Sequence, residues 1–510
     1  MKSSRTKLAL LGFAADFGGQ ILMISVNFIT VPIILQYTSQ SLYGIWLTAA
    51  SILGFLALTD FGIGVPLTRA IATTSESNNK IELNRIISTG FFALCFVGTI
   101  FLVFGMCISL FIGQWFNVSV EEQKMLIPAY LIAVTSASLA LPSAIFGLIL
   151  NGFQRMAIEH TIKNTVSIVG SIITIVLLSF GFGLMAISLS NLFIIVVSGS
   201  VSFIYAKRIF TDLSIRRKYF EIKELIKLLK YGGYFQIGRI ANTVATSADN
   251  VIIASILGTS SVTPYSLTSK LPSLFSINLA SKMPIAVFPA ISQMFAENNI
   301  IKLQKVFIKL TTLSVRLAVM AATFVFIVNQ QFVILWVGPN NYGGAILNSV
   351  FIYWILQDTI YRGTTALVFA SGDLRNWTIA SVMEAIFNII ISIFLAKSMG
   401  LVGVALGTSI SKTLTTGIST PYFISKKLNM PFKVLLTKGI MKPFFISIPG
   451  VLIAWLISII LPANLGWIWI LVVGIFVGIS NIFLFEGRKN LFSSIPWKER
   501  IKNAVSFQME

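Results

Sequence analysis

The chain has 510 residues, 55% of them hydrophobic and 11% charged, with a mean hydropathy of +0.86. Soluble domains carry about a quarter charged residues, so a water-soluble globule is excluded and lipid is the solvent for most of the surface. The net charge of +20 falls in short loops between apolar runs, which makes it a topology signal and excludes a nucleic-acid footprint.

Apolar runs of roughly 20 residues recur along the chain, and the short alternating strands of a barrel do not, so the class is helical. Lys2, Arg5 and Lys7 precede a long apolar run with no small-residue cleavage site, so the first helix is expected to stay. Spans are predicted at about 10–35, 41–64, 87–112, 125–150, 164–181, 184–206, 231–257, 264–293, 310–334, 347–371, 378–397, 402–425, 443–461 and 466–486, fourteen in all. Of the 38 Lys and Arg residues, 30 lie on one alternating set of loops and termini, and only Lys124 and Lys397 lie on the other. By the positive-inside rule both termini are then cytoplasmic. The expected divisions are an N-lobe over 1–206 (spans 1–6), a basic amphipathic cytoplasmic connector over 207–230 and a C-lobe over 231–425 (spans 7–12). The last is 426–510, spans 13 and 14 with a cytoplasmic tail. The connector holds Arg216, Arg217, Lys218, Lys223 and Lys227 and reads as a surface helix on anionic lipid. Outer connections of about a dozen residues leave no room for a catalytic domain, so an enzyme is not expected.

Polar groups inside the spans are the functional candidates, because each charge costs roughly 2.5–3.5 kcal/mol at a helix centre unless it is paired or wet. On span 1, Asp16, Gln20, Asn27 and Thr30 share a sector about 80° wide. Asp60 lies near the end of span 2. Cys95 and Cys107, twelve residues apart on span 3, have no partners at metal-ligand spacing and read as packing residues, and no metal site is expected. His160 beside Glu159 at a loop border is a proton relay or a polar surface group. Span 7 carries Arg239, Asn242, Thr243, Thr246, Asp249 and Asn250. Span 8 carries Lys270 and Lys282 with Pro272, Pro284 and Pro289, which free carbonyls and bend the helix. Arg316, near one end of span 9, is placed to snorkel to lipid phosphate. Asp358 and Arg362 on span 10 stand at i, i+4 and form either a self-neutralised structural pair or a substrate or coupling site. Ser381, Glu384, Asn388 and Ser392 make one stripe on span 11, lining a cavity or sealing helix to helix. Lys412 lies on span 12. The cations Arg239, Lys270, Lys282, Arg362 and Lys412 are thus in the second half, and the first half holds only acids, Asp16 and Asp60. Such a half-cavity suits a phosphate or an acidic sugar.

A shift of roughly 220 residues aligns four patterns in the same order, which suggests an internal repeat. Leu35 and Tyr43 match Leu257 and Tyr265; Asn78-Asn79-Lys80 matches Asn298-Asn299-Ile300; Gly152 with Arg155 matches Gly372 with Arg375; Gly183-Leu184 matches Gly400-Leu401. Six helices per unit keep both copies in one orientation, a parallel repeat about an axis along the membrane normal. Two such lobes provide for alternating access, which makes a transporter the leading class.

The segment Phe55-Leu56-Ala57-Leu58-Thr59-Asp60-Phe61-Gly62-Ile63-Gly64, followed by Leu67, Arg69 and Ala72 and preceded by Leu42-Tyr43-Gly44-Ile45-Trp46, resembles the second helix of polysaccharide-repeat flippases. These belong to the multidrug/oligosaccharidyl-lipid/polysaccharide exporter superfamily. The resemblance implies export, across the cell inner membrane, of a polyprenyl-diphosphate-linked oligosaccharide such as an O-antigen repeat unit for lipopolysaccharide. Its implied partners are that lipid-linked oligosaccharide, membrane lipids, and a polysaccharide polymerase with its chain-length machinery, and no nucleic acid. No cofactor is expected; Asp16 and Asp249 are the candidates for coupling to protons or sodium. The alternatives are a cation-coupled multidrug exporter and a lipid II flippase. In peptidoglycan-precursor flippases of the superfamily arginines stand on the early helices, where this chain has Asp16 and Asp60. By analogy the last two spans flank a groove for the lipid tail.

Overall fold

The computed structural model describes residues 5–57, 63–76, 79–116, 118–280, 282–461 and 465–486. Among them there are helices and no strands. The first half contains α1 (Arg5–Tyr37), α2 (Gln40–Ala57), α3 (Gly64–Glu76), α4 (Lys80–Ser109), α5 (Ile112–Trp115), α6 (Val120–Gly152), α7 (Met156–Ser179) and α8 (Leu184–Ile209). The second contains α9 (Ile222–Leu257), α10 (Val262–Thr268), α11 (Lys270–Ser273), α12 (Lys282–Ala296), α13 (Ile300–Val337), α14 (Ala345–Ala370) and α15 (Arg375–Lys412). It closes with α16 (Ile418–Lys427), α17 (Phe432–Val434), α18 (Lys442–Ile460) and α19 (Trp467–Glu486). Polar caps set several starts: Ser119 and Glu122 form a reciprocal capping box on α6, and Asn79 accepts the Glu82 amide on α4.

Nine helical stretches among the described residues are long and apolar enough to cross a membrane, which makes this a polytopic helical membrane protein. Predicted spans 11 and 12 run as one such stretch, Arg375–Lys427, which turns at Gly400 with φ 60° and ψ −137°, a geometry open only to glycine. Predicted span 8 is interrupted: α11, which contains Pro272, gives way to a π-helical segment, Leu274–Ala280, before α12. Asp60 lies outside the described residues.

Contacts divide the chain into two compact units, between which the second half is shared. The first comprises residues 1–269, 336–350 and 372–420. One of its cores joins Leu67 and Ile71 of α3, Leu83, Ile86 and Ile87 of α4, and Ile145, Ile149 and Leu150 of α6 with Leu228 of α9.

The connector differs from the expected surface helix. Residues 210–216 and 220–221 flank one 3-10 turn, Arg217–Tyr219, and helix resumes only at Ile222. The cause lies on α4, whose side chains act as a pairing edge for the extended backbone. Asn84 donates to the Asp212 carbonyl at 2.9 Å and accepts the Ser214 amide at 2.8 Å. Ser88 accepts the Arg216 amide at 3.3 Å, and Thr89 accepts the Glu221 amide at 3.1 Å. Ion pairs Lys80–Asp212 (2.7 Å) and Arg85–Glu221 (3.2 Å) flank this strap. Lys223 and Lys227 therefore stand on the first two turns of α9 itself.

Beyond those turns α9 beds on α15. Phe235 stacks on Trp377 at 6.1 Å, the Thr378 hydroxyl donates to the Tyr234 carbonyl at 2.7 Å, and Ala241 and Ala245 pack on Ala385. Elsewhere in this unit the start of α2 meets the turn before α10. Thr263 donates to the Gln40 carbonyl at 2.8 Å, Ser41 and Thr259 hydroxyls lie 3.3 Å apart, and a Cβ on Gly44 would stand 1.9 Å from the Thr259 carbonyl oxygen.

The second unit comprises residues 270–335, 351–371 and 421–510. α13 is its spine. Gly363 of α14 lies against Ser314, Gly474 of α19 against Phe324, and Phe332 meets Trp467 edge-on at 5.9 Å. Small residues at such crossings let helices approach closely where lipid offers no hydrophobic drive.

Candidate functional site

In the first unit, Asp249 of α9 is buried and accepts from Tyr265 (2.5 Å) and Thr408 (2.9 Å). Asn388 donates its amide N–H to the Thr408 oxygen at 2.9 Å, and its own Oδ1 is buried with no hydrogen-bond partner among the described residues. A carboxylate and two hydroxyls thus meet from α9, α10 and the second limb of α15, with an amide N–H from its first limb on one of the hydroxyls. One formal charge amid neutral oxygens suits a proton or an alkali cation; a divalent ion usually takes more carboxylates. Among the described residues no three His, Cys, Asp or Glu side chains group as metal ligands. One residue on, Asn250 donates to Ser51 of α2 at 3.0 Å and accepts from Ser266 at 3.1 Å.

Two further buried carboxylates each meet a cation and a hydroxyl. In the first unit Glu384 lies 3.9 Å from Lys412 and accepts from Thr416, which sits in a π-helical segment, Thr413–Gly417. In the second unit Asp358 pairs with Arg362 Nε at 2.6 Å and accepts from Ser276 of the π segment Leu274–Ala280. Removing one member of such a buried pair leaves an uncompensated charge, so both triads hold their π segments in place.

Arg239, in the first unit, and Lys270, in the second, are half-buried and form no ion pair among the described residues. Asn242 and Gln20 are half-buried, and Asn27 and Thr246 are exposed. Asp16 and Lys282 lie in α1 and α12, and their side chains fall outside the described residues. Many of the polar side chains bond their own helix: Asn27 donates to the Met23 carbonyl, Thr30 to Val26, Ser51 to Leu47 and Thr246 to Asn242, at 2.8–3.1 Å. Glu159 is buried against Gly147 and pairs with Lys163, with His160 Nδ1 at 3.5 Å. Both cysteines are free, and Cys107 is exposed.

Sequence reasoning left Tyr265, Thr408, Ser276 and Thr416 out of the site. Each is one hydroxyl among many in the spans, and only tertiary packing selects it.

A family model described as polysaccharide biosynthesis protein matches residues 12–295. The uncharacterized membrane protein EpsK of Bacillus subtilis (strain 168) is 20% identical over 446 residues, covering 85% of this chain and 86% of that protein. Among solved structures, lipid II flippase MurJ in an inward closed conformation has a TM-score of 0.67 at 16% identity, covering 96% of this chain and 100% of that one. An inward-facing multidrug resistance MATE family transporter of the MOP superfamily scores 0.65 at 16% identity, with 79% and 94% covered. A MOP superfamily transporter from Pyrococcus furiosus Vc1 (DSM3638), with a binding pocket of reverse polarity, scores 0.60 at 16% identity, with 84% and 97% covered. The fold is that of MATE and MurJ.

Proposed function

The chain belongs to the polysaccharide biosynthesis protein family, and from that membership we propose that it is a flippase. Its cargo is a polyprenyl-diphosphate-linked oligosaccharide repeat unit, O-antigen or a similar surface polysaccharide. It moves this cargo by alternating access from the cytoplasmic to the outer leaflet of the cytoplasmic membrane. The observation that carries the reading is that each unit keeps a span cation with no ion-pair partner among the described residues. Arg362 and Lys412 are matched by Asp358 and Glu384, whereas Arg239 and Lys270 are half-buried in spans and unmatched among the described residues. Each such charge, kept against a cost of roughly 2.5–3.5 kcal/mol, calls for an anionic partner, and the phosphates of this cargo class are anions of that kind. Lys282 of α12 is the third candidate contact.

The bonds Ser41–Thr259 and Gln40–Thr263 join positions 218 and 223 residues apart, close to the repeat shift of roughly 220 residues. Such contacts support two six-helix lobes meeting about an axis along the membrane normal, with α18 and α19 as the appended pair. The Asp249 oxygen cluster is the coupling site, taking a proton or sodium. That cluster also favours a second reading, a cation-coupled multidrug exporter, whose cationic cargo Arg239 and Lys270 would repel.

Arg239→Gln combined with Lys270→Gln tests the assignment. Surface polysaccharide is expected to fall at least tenfold at unchanged protein abundance, with drug efflux from a hypersensitive host at background in both forms. Undiminished polysaccharide export, or drug efflux above background, overturns it.

A further inference from the structure

The strap between α8 and α9 carries more positive charge than its own contacts use. Its acids are taken: Asp212 pairs with Lys80 at 2.7 Å, Glu221 with Arg85 at 3.2 Å and Glu224 with Lys227 at 2.8 Å. Lys207, Arg208, Arg216, Arg217, Lys218 and Lys223 are all exposed, with no ion-pair partner among the described residues. Arg208 lies over Tyr205 at 5.6 Å and Lys218 over Tyr219 at 5.0 Å, contacts that steer a cation without neutralising it.

The bonds to α4 fix the height of these cations. Arg85 is the last charged residue of α4, and the rest of that helix, to Ser109, is free of charge. Along α4 the strap climbs past this boundary. Asn84 holds the Asp212 carbonyl, Ser88 the Arg216 amide and Thr89 the Glu221 amide, an advance of about 7.5 Å at 1.5 Å per residue. Phe220 then meets Phe92 edge-on at 6.5 Å. Arg216, Arg217 and Lys218 therefore stand where α4 passes from charged to apolar. The same change occurs on α8, where Lys207 and Arg208 follow an uncharged run from Leu184 to Ala206. In a spanning helix such a change marks the headgroup layer.

Apolar side chains are exposed on the same segment. Phe220 is 40% exposed, and Ile222 and Ile226, one turn apart on α9, are 56% and 45% exposed, while Leu225 and Leu228 pack into the core. Free cations mixed with bare apolar groups at headgroup depth fit a leaflet of anionic phospholipid. We propose that residues 207–226 are a docking surface for that lipid. The cations hold headgroup phosphates, and Phe220, Ile222 and Ile226 lie among the first methylenes of the acyl chains. No amphipathic helix is needed, because α4 holds the extended backbone at the height of the phosphates. Such docking is independent of the cargo.

In full-length protein lacking Cys95 and Cys107, a nitrobenzoxadiazole fluorophore on Ile226→Cys reads the docking in lipid nanodiscs. Adding phosphatidylglycerol to phosphatidylcholine is expected to raise quenching by a lipid nitroxide at least threefold and to lower quenching by aqueous acrylamide at least threefold. Molar salt, which shortens the Debye length to about 3 Å, is expected to reverse both. Arg216→Gln with Arg217→Gln and Lys218→Gln, which leaves the backbone donors and acceptors intact, is expected to remove the response. Lys302→Gln with Lys305→Gln and Lys438→Gln, an equal loss of exposed charge elsewhere, is expected to keep it. Quenching indifferent to phosphatidylglycerol, a response that survives the first triple variant, or an equal loss in both variants overturns the docking. So does protection from acrylamide that comes only with added soluble cell protein, which gives the face to a protein partner.

Discussion

Asp249 accepts two hydroxyl protons and has no cation beside it among the described residues, and the nearby Asn388 oxygen is left without a donor. A buried carboxylate without a countercharge is costly, and an alkali ion bound beside Asp249 offsets that cost. Wild-type protein is therefore expected to gain thermal stability on replacing choline with sodium, by about 2.7 kcal/mol at one hundred times the Kd. Asp249→Asn should abolish the gain, and a sodium shift that survives in this variant removes the site. The faces of Asp249 and Asn388 were legible in the sequence, because a period of 3.6 places polar residues on stripes. Their partners were not: Tyr265 and Thr408 lie 16 and 159 residues from Asp249, and periodicity says nothing about which stripe meets which. The span 11 stripe illustrates the same limit. Its two readings are cavity lining and helix sealing, and which residues it meets comes only from packing: Asn388 bonds Thr408 and Ser392 bonds the Val404 carbonyl on the other limb of α15.

At the level of elements, Gly44 bears a contact that no side chain can share. Its missing Cβ lies against a backbone carbonyl, which gives way less readily than a flexible side chain. Gly44→Leu is expected to force α2 and the turn at Thr259 apart at a cost of about 1–3 kcal/mol or more. The reaction of a reporter Ser41→Cys with an impermeant thiol reagent should then accelerate at least tenfold; an unchanged rate would mean that this junction does not close the protein. Breaks between spans were legible where backbone chemistry dictates them. The gap predicted between residues 397 and 402 contains Gly400, whose positive φ turns α15. The connector was not legible. Its charge pattern suits a surface helix, but three side chains of α4 offer its backbone a competing set of partners, and such long-range pairing has no local signature.

Over the whole molecule, hydropathy made the class legible, because only helices satisfy their backbone inside lipid without a closed barrel. The charge asymmetry predicts that Lys124→Cys reacts with an impermeant maleimide in intact cells and Arg217→Cys only after permeabilisation; the reverse pattern would invert the topology. One habit of the spans reaches across both units. Thr30, Ser51, Thr246, Thr323 and Thr365 each give their hydroxyl proton to a carbonyl three or four residues back. A hydroxyl whose proton is spent inside its own turn brings no unmet donor to the helix surface, so it can lie against lipid or a neighbouring helix without a partner being supplied from elsewhere. The spans can therefore carry many Ser and Thr residues at little cost, and polar composition alone does not mark a cavity.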